Sequence, residues 1–195
     1  MDFCFSDDFL KALEFSRDEA LRTGWHHIGV EHVMLGILRQ GNNEACRALE
    51  DSGVSLTELK YHLDKAVFVG EEQISWADRE HIHLCESACS MMQKAALEMM
   101  RCRASELSPL HFLMAVSRNP GSYSSTILSE MGVSLTKLLE ASVGREHYGL
   151  MQERPAPAGD DDPVVMPDQT GYLSAIASAL EERLRQGYAT NDLES

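Results

Sequence analysis

The strongest constraint on how this chain can fold is that it carries one unit written twice. "GVSLTELK" at Gly53–Lys60 and "GVSLTKLL" at Gly132–Leu139 stand 79 positions apart. Sliding the chain by that offset, with no gap, places Glu19 on Glu98, Arg22 on Arg101, His32 on His111, Arg39 on Arg118 and Leu49 on Leu128. Apolar positions keep their character too: Leu13 with Met92, Ala20 with Met99, Ile28 with Leu107, Leu35 with Met114, Ile37 with Val116. Two copies are fewer than a solenoid requires. The pattern predicts two units packed on each other as a pseudo-symmetric pair.

Within copy one, Phe5, Phe9, Ala12, Leu13, Ser16 and Ala20 recur at helical spacing, and Gly24 stops that helix. "VEHVMLGIL" reads as a second, mostly buried helix closed by Gly41, and "NEACRALEDSG" as a third, closed by Gly53. Ser55 with Glu58 three positions on is a capping box opening a fourth helix, "LTELKYHLDKAV". Copy two keeps Ser134 but has Lys137 at the reciprocal position. β-branched alternation is absent, so the expected fold class is all-α, with four helices per copy. Copy two also carries a longer helix-prone lead-in, which predicts an extended first helix or an extra turn before it. Met91, Met92, Met99 and Met100 recur there at helical spacing, as a flexible core filler or as an adaptable partner groove.

Composition narrows the class. The net charge is −14, divided as −5 through Val67, −3 from there to Val143 and −6 in the tail. An acidic chain with no Lys/Arg cluster has no footprint for a phosphate backbone, so nucleic acid is not an expected partner. No apolar run approaches the roughly 20 residues of a spanning helix, so no membrane is expected either. The start lacks the basic and apolar regions of a secretory signal, and five cysteines without knottin-like spacing fit reduced thiols; both predict a cytoplasmic protein. Beyond Val143, "QERPAPAGDDDPVVMPDQ" reads as a linker. "TGYLSAIASALEERLRQG" follows as an amphipathic helix with Leu173, Ile176, Leu180 and Leu184 on one stripe.

Catalytic signatures are missing. The chain has no G-x-x-x-x-G-K-[ST] loop, no G-x-S-x-G elbow and no H-E-x-x-H helix, so no enzyme activity and no cofactor are expected. The one stretch with metal-ligand chemistry is "HIHLCESAC". On a helix, His81 and Cys85 share a face, as do Cys85 and Cys89, while His83 points elsewhere. A closed tetrahedral site would need a ligand from another element, and half-exposed helix residues are the competing reading.

The repeat itself resembles a known family. Glu19-Ala20, Gly24, the run Gly29-Val30-Glu31-His32-Val33-Met34-Leu35-Gly36, and Ala48-Leu49 leading to Gly53-Val54 look like the Clp repeat. That repeat builds the N-terminal domain of Clp-type AAA+ protein unfoldases, especially the ClpC and ClpA/ClpB branches. Copy two has "SPLHFLMAV" where the signature is expected, so Leu110 replaces the acidic residue. The resemblance implies a double Clp-repeat domain over 1–143, with repeat one at 5–67 and repeat two at 74–143. A flexible acidic, Pro-rich linker over 144–169, an amphipathic helix over 170–187 and a disordered end over 188–195 would follow. More distantly, Thr170, Leu173, Leu180 and Gly187 match the spacing of the segment that joins this domain to the first ATPase module, with Gly171 in place of its proline. The tail is thus a remnant of that junction or the edge of a longer chain.

The resemblance implies a protein-binding module, not an enzyme. Its partners would be a Clp ATPase, adaptor proteins or client proteins, which it would recruit or whose traffic it would regulate. In the ClpC branch the acidic residue of the T-E-H motif helps form a pocket for phosphorylated arginine, which makes Glu31 and its neighbour His32 the binding candidates here. Val30 stands in place of the threonine. Glu31 can equally be a helix-start carboxylate favoured by the helix dipole, and the resemblance implies that His32 and His111 are structural, bonded to backbone across the repeat. Two other classes compete: a metal- or redox-responsive helical protein using the His81–Cys89 stretch, and a helical oligomerisation module.

Overall fold

The computed structural model describes residues 4–68 and 75–142. The linker, the tail helix and the chain end expected after Val143 lie outside the described residues. Copy one runs β1 (Cys4–Phe5), α1 (Asp7–Thr23), β2 (His27–Ile28), α2 (Val30–Gln40), α3 (Glu44–Asp51) and α4 (Leu56–Val67). Copy two runs β3 (His83–Leu84), α5 (Glu86–Arg101), β4 (Glu106–Leu107), α6 (Pro109–Arg118), α7 (Tyr123–Glu130) and α8 (Leu135–Ser142). Every element of copy two begins 79 residues after its counterpart. The fold is mostly helical, four helices per copy, as the pattern predicts.

The repeated phrase "GVSLT" has a local cause. Gly53 (φ 84°) and Gly132 (φ 76°) take the left-handed conformation that ends the third helix of each copy. The next N–H then reaches back into the helix, Val54 to Leu49 O at 3.0 Å and Val133 to Leu128 O at 2.8 Å. Ser55 and Ser134 follow as N-caps, each hydroxyl accepting from the N–H three residues on, at 3.4 and 3.3 Å. Where copy two has Lys137 at N3, its ammonium donates to Gly132 O at 2.8 Å.

The strands are an addition to the expected helices. β1 pairs in parallel with β4, and β2 pairs in parallel with β3. Each copy thus lends its leading strand to the other, and the exchange is pseudo-symmetric: β3 is the equivalent of β1, and β4 of β2. Two-residue strands are too short to produce alternation, which is why the sequence is silent on them. The lead-in to copy two takes the form of an extra turn, a 3-10 helix at Trp76–His81, while α5 has 16 residues against 17 in α1. Arg79 of that turn donates to Asp18 on α1 at 2.8 Å. Three of the four methionines fill the core, and Met100 is exposed.

α2 and α6 are the buried spines of the two copies. Phe9 on α1 meets Phe112 on α6 with ring centroids 6.0 Å apart, so one apolar core runs through both copies. Gly36 lets α2 approach α1. A Cβ there would overlap Ala12 O and Ser16 Oγ and lie 2.7 Å from Ser16 N, all within the helix it crosses. Copy two keeps Ala115 at the matching place and has Ala95 where Ser16 stands, which frees the room.

Each copy buries one glutamate and clamps it with two arginines. Glu19, 3% exposed, accepts from Arg22 at 2.6 Å and from Arg39 at 3.1 Å. Glu98, also 3% exposed, pairs with Arg101 and accepts from Arg118 Nε at 2.7 Å. In each case the first arginine shares the glutamate's helix and the second comes from the next helix, so the pair fixes the crossing. The arginines remain close to half exposed. Removing one leaves the carboxylate its other partner; removing both strands a buried charge.

Two predictions follow from this packing. Gly36→Ala should destabilise the domain by about 1–3 kcal/mol or more through overpacking against backbone, read from urea unfolding; a change within about 0.5 kcal/mol would show that α1 and α2 can separate at no expense. Arg101→Ala and Arg118→Ala should each cost about 1 kcal/mol or less. The double variant should exceed their sum by roughly 1–3 kcal/mol, and additive losses would refute the clamp.

Candidate functional site

β2 leads directly into α2, so the first turn of α2 lies at the seam between the copies. Gly29 is its N-cap, in extended backbone at φ −90°, ψ 177°. The cap group comes from the third helical residue: His32 Nδ1 accepts the Gly29 N–H at 2.9 Å. The other ring nitrogen, Nε2, sits 3.0 Å from Thr23 Oγ1, whose own proton goes to Glu19 O at 2.8 Å. The hydroxyl is therefore the acceptor, and the ring is the neutral tautomer with its proton on Nε2. In copy two, His111 Nδ1 accepts the Ser108 N–H at 3.1 Å. Both bonds go to backbone, as expected, but to each histidine's own helix start and not across the repeat.

Burial sets the protonation of both rings. His32 is 2% exposed, and desolvation, with smaller repulsions from His27 and Arg22, lowers its pKa from 6.5 to about 4. Desolvation also lowers that of His111, against the opposing pull of Glu44 and Glu98. His32 lies almost wholly beneath the surface, where it lines one cavity beside Glu31.

Glu31, one position earlier, is half-buried and faces outward. Its Oε1 accepts the Ser124 hydroxyl of α7 at 3.1 Å, a bond from copy two to copy one. Two cavities flank it. One, about 490 Å³, is walled by Trp25, His27, Val67, Cys85 and Tyr123. The other, about 460 Å³, lies between Met91, Lys94 and the Asn119–Ser122 loop. Glu31 and Ser87 line both. Trp25 is held by its indole N–H, which donates to Val67 O at 2.6 Å. Leu110, the counterpart of Glu31, is buried apolar surface, so copy two has no matching carboxylate.

Sequence reasoning missed Trp25, Lys94, Tyr123 and Ser124 as neighbours of Glu31. Their signal lay in departures from the repeat: the matching residues are Ala104, Phe15, Glu44 and Ala45.

The stretch His81–Cys89 does not form the expected helical face. His81 ends the 3-10 turn, His83 lies in β3, and Cys85 is the extended N-cap of α5, so only Cys89 is inside a helix. The chain must leave helical geometry there because β3 is drawn into its ladder with β2. Cys85 Sγ lies 3.1 Å from Ser87 Oγ, and Cys89 Sγ points to Leu84 O. Among the described residues no group of three or more His, Cys, Asp or Glu side chains is gathered for a metal ion. No described helix is long and apolar enough to cross a membrane.

A family model for the Clp repeat (R) N-terminal domain matches residues 4–131. The chain belongs to that family. It is similar to the chaperone protein ClpB of Oceanobacillus iheyensis, 28% identical over 133 residues, and to the negative regulator of genetic competence ClpC/MecB of Bacillus subtilis, 27% identical over 133. Each alignment covers 68% of this chain and 16% of the relative, so the chain spans about a sixth of their length. Among solved structures, the N-terminal domain of ClpV1 from Escherichia coli superposes with a TM-score of 0.59 at 16% identity, covering 71% of this chain and 83% of that one. The N-terminal domain of Hsp104 from Candida albicans gives 0.57 at 13%, covering 72% and 90%. These two likenesses establish the fold.

The lowered pKa of His32 fixes a sign for acid stability. Unfolded, the imidazole takes up a proton as pH falls through 6.5; folded, it stays neutral to about 4. The unfolded state binds more protons in that window, so the contribution is whole above it and lost through it, up to about 3 kcal/mol. His32→Gln keeps an acceptor for the cap without the titration. Unfolding free energies measured across the window should fall less steeply in the variant, and equal slopes would contradict the assignment.

Proposed function

We propose that these Clp repeats form a non-catalytic protein-binding module of the cytoplasm, which recruits adaptors or client proteins to a Clp-type ATP-dependent unfoldase or regulates that traffic. The observation that carries the reading is the position of Glu31, an outward carboxylate between two cavities at the seam of the copies. A carboxylate so placed pairs with a guanidinium, and it does so most strongly when the contact is bidentate. Lys94 and the loop leading into α7 line the neighbouring cavity and supply positive potential for an attached phosphate. The reading therefore extends to phosphorylated arginine as the recognised group, with His32 holding the first turn of α2 so that Glu31 faces the ligand. Leu110 at the equivalent place leaves one such site per chain.

Fluorescence anisotropy of a labelled phosphoarginine peptide tests this directly. Saturation is expected at one peptide per chain, with the unphosphorylated peptide weaker. Glu31→Gln should reduce affinity by roughly 10- to 100-fold, the size of a lost charge-assisted contact. Undiminished binding by that variant, or no binding by the parent, would remove the phosphoarginine reading.

A further inference from the structure

The cavity of about 490 Å³ beside Glu31 is built unlike its neighbour. Three of its walls are aromatic: Trp25, His27 and Tyr123. Trp25 is fixed by its bond to Val67 O at 2.6 Å, and its ring meets His27 and His32 edge-on, with centroids 5.0 and 6.0 Å apart. Gly29 leaves the backbone bare between them and Glu31. The nearest atoms to a Cβ placed there are His32 Nδ1 at 3.5 Å and Glu31 Oε2 at 3.6 Å, so the space is open and a carboxylate oxygen borders it. Oε1 is held by Ser124 at 3.1 Å, and among the described residues no hydrogen bond takes Oε2. Tyr123 adjoins Ser124 on the first turn of α7, so the bond that orients the carboxylate also places the phenol. No lysine or arginine lines this cavity, whereas Lys94 lines the other. Arg22, close enough to act on His32, is already paired with Glu19 and Asp64. The starts of α2, α5 and α7 each lend about half a positive charge here. Glu86 answers that of α5, Ser122 caps α7, and the whole charge of Glu31 outweighs the share of α2.

We propose that this aromatic cavity is a subsite for the unmodified arginine side chain of an extended partner segment. A guanidinium is planar and weakly hydrated, stacks on aromatic faces and pairs with a carboxylate. Trp25 and Tyr123 supply the faces, and Glu31 Oε2 supplies the carboxylate. Lysine fits less well, because its compact ammonium is strongly hydrated and has no plane to stack. A phosphate is opposed here, since the only full charge on the wall is negative. Trp25, Glu31 and Tyr123 have Ala104, Leu110 and Glu44 at the repeat offset, so the subsite occurs once per chain. The proposal rests on the reading above in taking Glu31 as the contact carboxylate, and departs from it in needing no phosphate.

The test uses the full chain carrying Trp76→Phe, which leaves Trp25 as its only tryptophan. The probes are a flexible Gly/Ser peptide with one central arginine and its twin with citrulline, where a neutral group of the same shape replaces the guanidinium. The arginine peptide should change Trp25 emission and saturate at one per chain. The citrulline twin should bind roughly tenfold more weakly or worse. By anisotropy of the labelled peptide, Trp25→Leu and Tyr123→Leu should each weaken arginine binding roughly 2- to 30-fold, while Tyr123→Phe keeps the aromatic face and the affinity. Tyr123 is 48% exposed, so its variants fold even where Trp25→Leu does not. Equal binding of the two peptides, no binding of the arginine peptide, or an affinity unmoved by Tyr123→Leu overturns the proposal. A phosphorylated twin separates the two readings. If it binds no tighter than the arginine peptide, the phosphate reading falls and the aromatic subsite stands.

Discussion

The buried carboxylate clamp is the constraint on which the rest of each copy hangs. A glutamate in a helical core is tolerated only when its charge is met by cations and hydrogen bonds. Glu19 and Glu98 meet that condition through one arginine on their own helix and one on the next. The demand is geometric, because the second arginine reaches the carboxylate only at one spacing of the two helices. In copy one the same network extends outward: Arg22 also pairs with Asp64 on α4, Arg39 lies near Asp18 and stacks on Phe15 at 4.8 Å, and Arg79 fastens the 3-10 turn to Asp18. Copy two carries Leu97 and Lys94 where Asp18 and Phe15 stand, and its clamp is barer. With the first two helices fixed, the loop between them is fixed as well, and that loop holds β2 in one copy and β4 in the other.

The strand exchange then turns two packed units into one body. Each ladder is only two residues long, too little to be stable alone. It persists because helices on both sides are anchored by the common core through Phe9 and Phe112. The exchange aims the start of α2 at the other copy, and the histidine cap keeps that start rigid without spending a surface residue on it. Glu31 faces the seam as a consequence, close enough for Ser124 of copy two to hold one of its oxygens.

Much of this was legible in the sequence, for physical reasons that differ by element. The ungapped repeat forced equally spaced element starts, and the caps Ser55, Ser134, Gly53 and Gly132 carry backbone chemistry that sequence states openly. The identities Glu19/Glu98, Arg22/Arg101 and Arg39/Arg118 were visible too, but their meaning was not. Which of three matching charges is buried emerges only when the helices cross and two arginines meet one glutamate. The strands left no trace, because two residues cannot show a period. That omission misplaced Cys85, read as a helical neighbour of His81 and Cys89 when it is the last residue of an extended run. For Glu31 the helix-start position was legible from the motif, whereas its neighbours come from four separate segments and no local pattern joins them.

The two copies also separate what the fold needs from what it merely permits. Residues identical at the repeat offset are those whose bonds recur: the clamp, the N3 histidine, the left-handed glycine and the serine cap. Where the copies differ, the bonds differ, and some of the differences lie at the seam. Trp25, Glu31, Lys94 and Tyr123 face the two cavities, while Ala104, Leu110, Phe15 and Glu44 occupy the matching places. Phe15 and Glu44 are committed to structure, one beneath Arg39 and the other accepting from Ser108 Oγ at 3.3 Å. Leu110 is buried in the core. The asymmetry shows what the fold does not require: a carboxylate needed only by the helix dipole would have been equally at home in both copies, and copy two has Leu110 there.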